Sequence, residues 1–417
     1  VEYIERIADR LVADRLRSAG AVLIEGPRAC GKTSTARQHA ASAVYLQNDD
    51  AARSALDVDP RLVLAGATPR LLDEWQVDAT RLWNGVRATV DDRGKPGQFI
   101  LTGSAVPDDD ARRHTGAGRF ARVEMRPMAL AESGESSGAM SLRALLDGDP
   151  PDPGRSDLTI PDLARLVVRG GWPLHLRMDD TAAAQASSDY LASIADADLG
   201  RLDTSRRDPA RAGRLLHALA RNTAMELVVD RLTREVDGPD GAMARTTVYD
   251  YLVDLRRLMV LQEQPAWAPR LRSRARLRTR PRVHLVDPSL ASAALQADAD
   301  HLLADLTTFG LLFESLVVRD LRTYADALDA RVFHYRDSDN LEIDVVVQRR
   351  DGVFGAFEVK LGAGQVDAAA AALLRFAAKL DADHSGAPAV LGVITGSEYG
   401  YVRPDGVVVV PLGMLGA

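Results

Sequence analysis

The sequence predicts an α/β protein of several domains, and two stretches carry that expectation. AVLIEGPRACGKTSTARQ (21–38) places an apolar run, Ala21 to Ile24, directly ahead of a Gly-rich loop, with a helix-forming segment from Ser34 to Gln38 behind it. The last third strings together short β-rich runs and one Ala-rich helical run: VFHYR, LEIDVVVQ, VFGAFEVK, QVDAAAAALLRFAAKL, AVLGVITG and GVVVVPL. Strands mixed with helical patterns of this length point to layered α/β structure.

The bulk properties fit that class. A chain of 417 residues suits two to four domains of the usual size of about 100–200 residues. With 46% apolar and 27% charged residues it has material for packed cores. The single cysteine, Cys30, permits no internal disulfide and no cysteine-based zinc site, which suits a reducing cytoplasm. The net charge of −7 argues against a surface that is basic throughout. No run approaches the roughly 18 apolar residues of a membrane helix. VEYIERIADRLVADRL at the start reads as an amphipathic helix and not a signal peptide, and Val1 in place of Met suggests a trimmed start or an unusual start codon.

Taken in order, residues 1–20 form a helix ahead of the first strand. Gly26-Pro27-Arg28-Ala29-Cys30-Gly31-Lys32-Thr33 is then G-x-x-x-x-G-K-T between strand and helix, the context a phosphate-binding loop needs. Its glycines let backbone N–H groups face the phosphates, helped by the positive end of the helix that follows. Lys32 would reach the β/γ-phosphates of ATP, and the Thr33 hydroxyl would complete a Mg²⁺ shell. The expected nucleotide contacts run from Gly26 through Ser34. Cys30 is either a small buried loop residue or a point where oxidation would block binding.

AVYLQNDD (43–50) reads as a second strand. Pro69 to Gln76 reads as a third, ending in Asp73-Glu74 about 40 residues beyond the phosphate loop. There Asp73 would hold Mg²⁺ through water and Glu74 would polarise the attacking water. QFILTGS (98–104) is a further strand, and Thr102 or Ser104 would contact the γ-phosphate or the lytic water, with Ser104 as a helix cap the other reading.

Residues 133–160, rich in Gly, Ser, Pro and Asp, read as an exposed linker. Gly170-Gly171-Trp172-Pro173 marks a turn between helical patterns, and a helical segment covers roughly 181–225. Residues 226–261 read as a helix–turn–helix, with Val248, Leu252, Leu255 and Met259 inward and Arg245, Tyr249, Arg256 and Arg257 outward. Then come Arg270, Arg272, Arg274, Arg276, Arg278, Arg280 and Arg282, one at every second position and with no acid among them. In an extended strand all seven share one face. They would track a DNA backbone from the wing of a winged helix, or keep a strand edge from pairing. No aromatic interleaves them, so base stacking is unsupported.

In the tail, Asp344 lies mid-strand among apolar neighbours, and the adjacent strand ends in Glu358-Val359-Lys360. A charge inside a strand is costly without a metal or a partner. Asp344 and Glu358 would share a divalent metal, with the Val359 carbonyl as a further ligand. Lys360 would orient or activate water, and Glu314 would reach in from a helix. The other reading is an ion-pair cluster at a sheet edge. The histidines show no metal-ligand spacing.

GPRACGKT, LLDEWQ (71–76), LTGS (101–104), Gly118-Arg119 and RGGWP (169–173) together resemble prokaryotic AAA-type (AAA+) ATPases with a C-terminal domain of unknown function. Gly310 to Glu314, Glu342 to Asp344 and Glu358 to Lys360 are similar to that subgroup's tail, which ends in a PD-(D/E)XK restriction-endonuclease-like fold. The resemblance implies a RecA-like P-loop core (1–132), a linker (133–160), a helical lid (161–225), a winged helix with the arginine strand (226–290) and a nuclease-like α/β domain (291–417). It implies Asp73 and Glu74 as the Walker B pair and Thr102 or Ser104 as sensor. Arg119 becomes a finger acting on a neighbouring subunit, hence a homo-oligomer and plausibly a ring. Glu314, Asp344, Glu358 and Lys360 make a nuclease-type site. The leading expectation is an ATP-driven protein acting on duplex or branched DNA. Its rivals are a signalling ATPase switch with an inert scaffold for a tail, and a metal-dependent nuclease gated by ATP.

Overall fold

The computed structural model describes residues 2–103, 116–199, 208–236, 241, 243–269, 279–380 and 386–417. Two compact units account for the chain: Val1–Pro127 with Arg257–Met259, and Met128–Arg256 with Val260–Ala417.

The first unit is a parallel five-stranded sheet between helices. In chain order it runs α1 (Ile7–Ser18), β1 (Ala21–Glu25), α2 (Lys32–His39), β2 (Ser42–Tyr45), α3 (Asp50–Val58), α4 (Pro60–Leu64), β3 (Arg70–Asp73), α5 (Ala79–Arg93), β4 (Phe99–Gly103) and β5 (Phe120–Glu124). The spatial order is β2-β3-β4-β1-β5. The strand that carries Thr102 therefore separates the one before the phosphate loop from the one that ends in Asp73. Alternation along β1 sends Ala21 and Leu23 into a core with Leu72, Leu101, Leu82 and Trp83. Val22 and Ile24, the alternate pair, are fully buried as well, and α1 and α2 pack against the same strand. Each such side chain contributes roughly 1.5–3 kcal/mol of burial energy. Sequence chemistry also sets the ends of α5. The Asp78 carboxylate accepts the Arg81 N–H at its start, and Gly94 at φ 56° closes it.

The second unit begins with segments expected to be linker. Residues 133–160 instead hold β6 (Met140–Ser141) and β7 (Gly154–Arg155), following α6 (Leu130–Ser133) and flanking α7 (Leu142–Asp147). Met140, Leu142, Leu145 and Leu146 are buried. β6 pairs with Leu415–Gly416 and β7 with Tyr399–Gly400. Four apolar side chains with a place to pack outweigh the loop-like composition around them.

Next come α8 (Ile160–Arg169), α9 (Asp180–Ser193), α10 (Pro209–Arg221), α11 (Val229–Glu235) and α12 (Arg245–Arg257). The last three are followed by an antiparallel ribbon of β8 (Leu261–Gln264) and β9 (Arg282–Leu285). Val248, Leu252 and Leu255 form the buried stripe of α12, joined by Tyr251. Met259 lies beyond the helix end.

RGGWP is more than a turn. Gly170 sits at φ 73°, and a Cβ there would lie 2.4 Å from Ser289 Oγ. A Cβ on Gly171 would meet the Met128 carbonyl at 2.2 Å. Close approach lets the Gly171 N–H donate to Asp287 Oδ2 (3.0 Å) and the Trp172 indole to Ser289 Oγ (3.1 Å). Arg319 completes the hub, bonding Asp287 at 2.9 Å and Asp320 at 2.8 Å with all three side chains buried. Burial pushes both carboxyls up. Asp287, with Arg319 and the Ser289 and Gly171 N–H groups against it, is nevertheless held below its ordinary range, whereas Asp320 stays above.

The unit ends in α13 (Pro288–Ala294), α14 (Ala299–Ala304), α15 (Leu306–Asp326), β10 (Ala330–Arg336), β11 (Glu342–Arg349), β12 (Phe354–Lys360), α16 (Val366–Lys379), β13 (Val390–Thr395), β14 (Tyr399–Val402), β15 (Val408–Pro411) and β16 (Leu415–Gly416). The sheet order is β10-β11-β12-β13-β15-β14-β7. β10–β11–β12 is an antiparallel meander, and β12, β13 and β15 run parallel. Trp267, Phe354, Leu373, Phe376 and Val393 belong to its core.

Candidate functional site

In the first unit the chemistry gathers at the carboxyl ends of β1, β3 and β4. The phosphate loop leaves β1 with Ala29 at φ 61° and Gly31 at φ 103°, and α2 starts at Lys32. Gly26 has no room for a side chain: a Cβ would lie 2.3 Å from the Met125 carbonyl. Lys32 is buried, and its ammonium donates to the Gly26 (2.9 Å) and Pro27 (2.7 Å) carbonyls. It thus curls over its own loop, on contacts that an anion's oxygens can replace. Cys30 is fully buried.

Asp73 is the hub. Its Oδ1 accepts the Thr33 hydroxyl at 2.7 Å and the Thr102 hydroxyl at 2.5 Å. Thr102 stands level with Asp73 across the β3–β4 pairing. Glu74 follows in the left-handed region, φ 56°, and its carboxylate accepts the Gln76 amide. That backbone turn takes Glu74 off the alternation of β3, at a cost of order 1–2 kcal/mol for a residue with a Cβ. The parts suit a Mg²⁺-bound nucleotide: two oxygen donors converge, and the loop excludes a Cβ where backbone must approach. Ser104 lies outside the described residues.

Arg119 is not part of this cluster. It precedes β5, whose Phe120 is level with Ala21 at the start of β1, so it stands at the far end of the sheet from the loop. There it is paired with Asp91 at 2.5 Å.

Arg6 belongs to no motif in the sequence. Buried, it donates to the Cys30 carbonyl and the Arg126 carbonyl, each at 2.9 Å, tying the N-terminal segment to the phosphate loop. Nearby, the Tyr3 hydroxyl meets Thr35 Oγ1 at 2.6 Å and Asp9 at 2.7 Å. An Arg among seven N-terminal residues carries no distinguishing pattern, so only the fold reveals this anchor.

The second cluster lies in the other unit. Asp344 Oδ2 accepts the Val359 N–H and the Lys360 ammonium, each at 3.0 Å. Asp344 Oδ1 accepts from Arg282 at 3.3 Å. Arg282 also bonds Glu314 (2.7 Å) and Glu342 (2.9 Å), and Lys360 bonds Glu358 (2.7 Å). The structure thus brings Glu314, Asp344, Glu358 and Lys360 together. In this cluster Lys360 engages both Asp344 and Glu358, Arg282 engages Asp344, and the Val359 N–H donates to Asp344. Among the described residues no group of three or more Asp, Glu, His or Cys side chains is arranged to hold a metal ion. Two cations cannot satisfy every carboxylate. Burial, then the charge of Asp344, pushes Glu314 and Glu358 up to about 8. Burial acts the same way on Asp344, but Lys360, Arg282 and the Val359 N–H outweigh it and hold that carboxyl low.

Arg282, expected as a DNA contact, instead has its side chain turned inward. It opens β9, paired to Gln264, and its side chain is buried in the acidic cluster. Arg256 pairs with Glu263 on the ribbon and does not face out unengaged. Arg245 and Tyr249 are exposed side by side, the guanidinium 5.7 Å from the ring centre, and Arg280 is exposed. Arg270, Arg272, Arg274, Arg276 and Arg278 lie outside the described residues.

Known proteins place part of the chain. Residues 18–133 match the family model described as an AAA domain. Residues 160–301 and 309–415 match two models, each described as a domain of unknown function (DUF8612 and DUF4143). Uncharacterized proteins of Mycobacterium tuberculosis and Mycobacterium bovis are 26% identical over 353 residues, covering 83% of this chain and 71% of theirs. Among solved structures, a Walker-type ATPase of Pyrococcus abyssi is similar at 14% identity and a TM-score of 0.43, over 70% of this chain and 96% of that one. A signal transduction ATPase with numerous domains and a tetratricopeptide repeat sensor, from Pyrococcus horikoshii, gives 14% and 0.23, over 78% and 50%. At these TM-scores neither likeness bears on function. Residues 18–133 are an AAA-type P-loop ATPase domain. No helix among the described residues is long and apolar enough to cross a membrane.

Proposed function

We propose that the chain hydrolyses ATP at Asp73 and Glu74 and uses the cycle to act on DNA. The observation that carries hydrolysis is the meeting of Thr33 and Thr102 on one oxygen of Asp73, with Glu74 next in the chain. Thr33 and Asp73 would hold Mg²⁺, which when bound neutralises phosphate charge. Lys32 leaves the Gly26 and Pro27 carbonyls for the phosphates. Glu74, steadied by Gln76, orients the attacking water and draws on its proton. Thr102 links that event to Asp73, and Arg119 is available to a neighbouring subunit once Asp91 releases it.

The DNA half of the reading rests on the three helices α10–α12 and the β8–β9 ribbon. The alternating arginines from Arg270 to Arg280 belong to the stretch of sequence between the two paired strands, and Arg245 and Tyr249 are exposed on α12. That is the composition of a helix and wing facing phosphate. In this reading the C-terminal α/β domain is nuclease-like in build.

A second reading, a signalling switch with an inert tail, is favoured by one observation: Arg282 and Lys360 compensate the tail's carboxylates internally.

Purified full-length protein, assayed for ATP turnover with duplex, single-stranded and branched DNA beside Lys32→Ala, separates the two. Stimulation by one DNA form supports the first reading. Turnover indifferent to every DNA transfers support to the second, and wild-type turnover no higher than Lys32→Ala removes both.

A further inference from the structure

We propose that Gln76 is a further catalytic residue of the ATPase site: its amide oxygen, Oε1, accepts one proton of the attacking water while Glu74 accepts the other. The inference rests on the reading that Glu74 activates water for ATP hydrolysis, and it supplies the second acceptor that such a water needs.

Gln76 lies in the short turn Trp75–Asp78 that follows Glu74. Its amide nitrogen donates to the Glu74 carboxylate. An ionised carboxylate only accepts, so this contact fixes which end of the amide faces the acid and turns Oε1 away from it. Oε1 is buried and has no hydrogen-bond partner among the described residues. An orphaned buried acceptor is uncommon in a folded chain and calls for a donor that arrives with a ligand. Its place is specific. Gly103 ends β4, one residue beyond Thr102, and a Cβ built on it would lie 2.5 Å from Oε1. The Gln76 amide thus takes the space that a side chain at Gly103 would fill. Thr102 in turn donates to Asp73, the residue before Glu74, at 2.5 Å. Carboxylate, orphaned acceptor and the hydroxyls on Asp73 therefore share the carboxyl ends of β3 and β4.

Water carries two O–H groups and attacks with a lone pair. Held by one acceptor, it still turns about that hydrogen bond. Held by two, both protons are directed away and a lone pair is left to face phosphorus. In the step, the water oxygen bonds to the γ-phosphorus. The bond from that phosphorus to the oxygen shared with the β-phosphate breaks, and its electron pair leaves with ADP. One proton passes to Glu74, and the other stays on the new phosphate, directed at Oε1. The amide neither gains nor loses a proton, so its contribution is orientation.

The test is ATP turnover by the full chain with Mg²⁺, beside binding of a fluorescent ATP analogue, for wild type and variants whose fold is checked by thermal unfolding. Gln76→Leu is expected to lower kcat roughly a hundredfold, with KM and analogue binding within about threefold of wild type. Gln76→Lys, which keeps a donor for Glu74 but has no acceptor, should fall as far. Added to Glu74→Gln, Gln76→Leu should cost nothing more, because both residues act on one water. Wild-type kcat in Gln76→Leu overturns the proposal, as does a loss confined to nucleotide binding. Wild-type kcat in Gln76→Lys overturns it too, since Gln76 would then only steady Glu74. If Gln76→Leu does not fold, Gly103→Ala decides, because its methyl group displaces the amide: kcat lower by about tenfold or more with binding unchanged supports the proposal, and wild-type kcat overturns it. Failure of the underlying reading looks different: wild type is then no faster than Glu74→Gln, and both fall. An inactive Glu74→Gln beside a fully active Gln76→Leu sinks this inference alone.

Discussion

Two strands in this chain present carboxylates to a cluster of polar groups, and they differ in what faces them. At the end of β3, Asp73 meets the hydroxyls of Thr33 and Thr102. In the C-terminal sheet, Asp344 meets the ammonium of Lys360 and the guanidinium of Arg282. Hydroxyls are neutral, and each can turn to offer its oxygen to a metal. Fixed cations cannot: they have donors only, and they spend the carboxylate's charge. The first arrangement is open to an incoming cation, and the second already contains its own. Residue types that look equally metal-ready in sequence are therefore separated by their partners' charge.

The largest expected effect lies at the open site. Asp73→Asn keeps the size of the side chain but removes the charge, and should lower ATP turnover by a factor of about 100 or more. Turnover within a few-fold of wild type would dissolve the contrast. Next in size is the buried hub. Arg319→Met strands Asp287 and Asp320 without their cation, and should cost roughly 3–5 kcal/mol in denaturant unfolding. A loss under about 1 kcal/mol would mean that the hub tolerates uncompensated charge.

A pH effect sharpens the same comparison. Glu314 and Glu358 are pushed up to about 8 from an ordinary 4.5, so the folded chain holds protons that the unfolded chain has released. Their contribution is fully present below the unfolded value and is lost as pH rises toward 8. Chemical denaturation across that window should show falling stability of the C-terminal unit, and Glu358→Gln should flatten the fall. Stability that rises from pH 5 to 8 and is insensitive to Glu358→Gln would contradict it.

The smallest effects concern DNA. If about five arginines meet phosphate, log K against log salt should have a slope near −4.5. Arg280→Ala should reduce the slope by about 0.9, while Arg282→Gln should leave it unchanged, since a buried, ion-paired guanidinium reaches no phosphate. Equal effects of the two substitutions would place Arg282 on the DNA side after all.

Much of the first site was legible because its parts are contiguous or lie at strand ends. The loop from Gly26 to Ser34 is one uninterrupted motif, and Asp73 and Thr102 each follow an apolar run. What escaped depends on distant partners. RGGWP reads as a turn until Asp287 and Arg319, more than a hundred residues away, are seen to hold it. Arg282 reads as the seventh member of an alternating run, and nothing in its spacing shows that the side chain turns inward where β9 begins. The sheet pieces in 133–160 were masked by Gly, Ser and Pro. There the usable signal was Met140, Leu142, Leu145 and Leu146, too short a pattern to outweigh the composition.

One measurement tests the contrast most directly: Mn²⁺ binding to the wild-type chain with and without ATP, beside Asp73→Asn and Asp344→Asn. The account predicts a site that appears with ATP, is lost in Asp73→Asn and is untouched by Asp344→Asn. A site that binds without ATP and is lost in Asp344→Asn would contradict it.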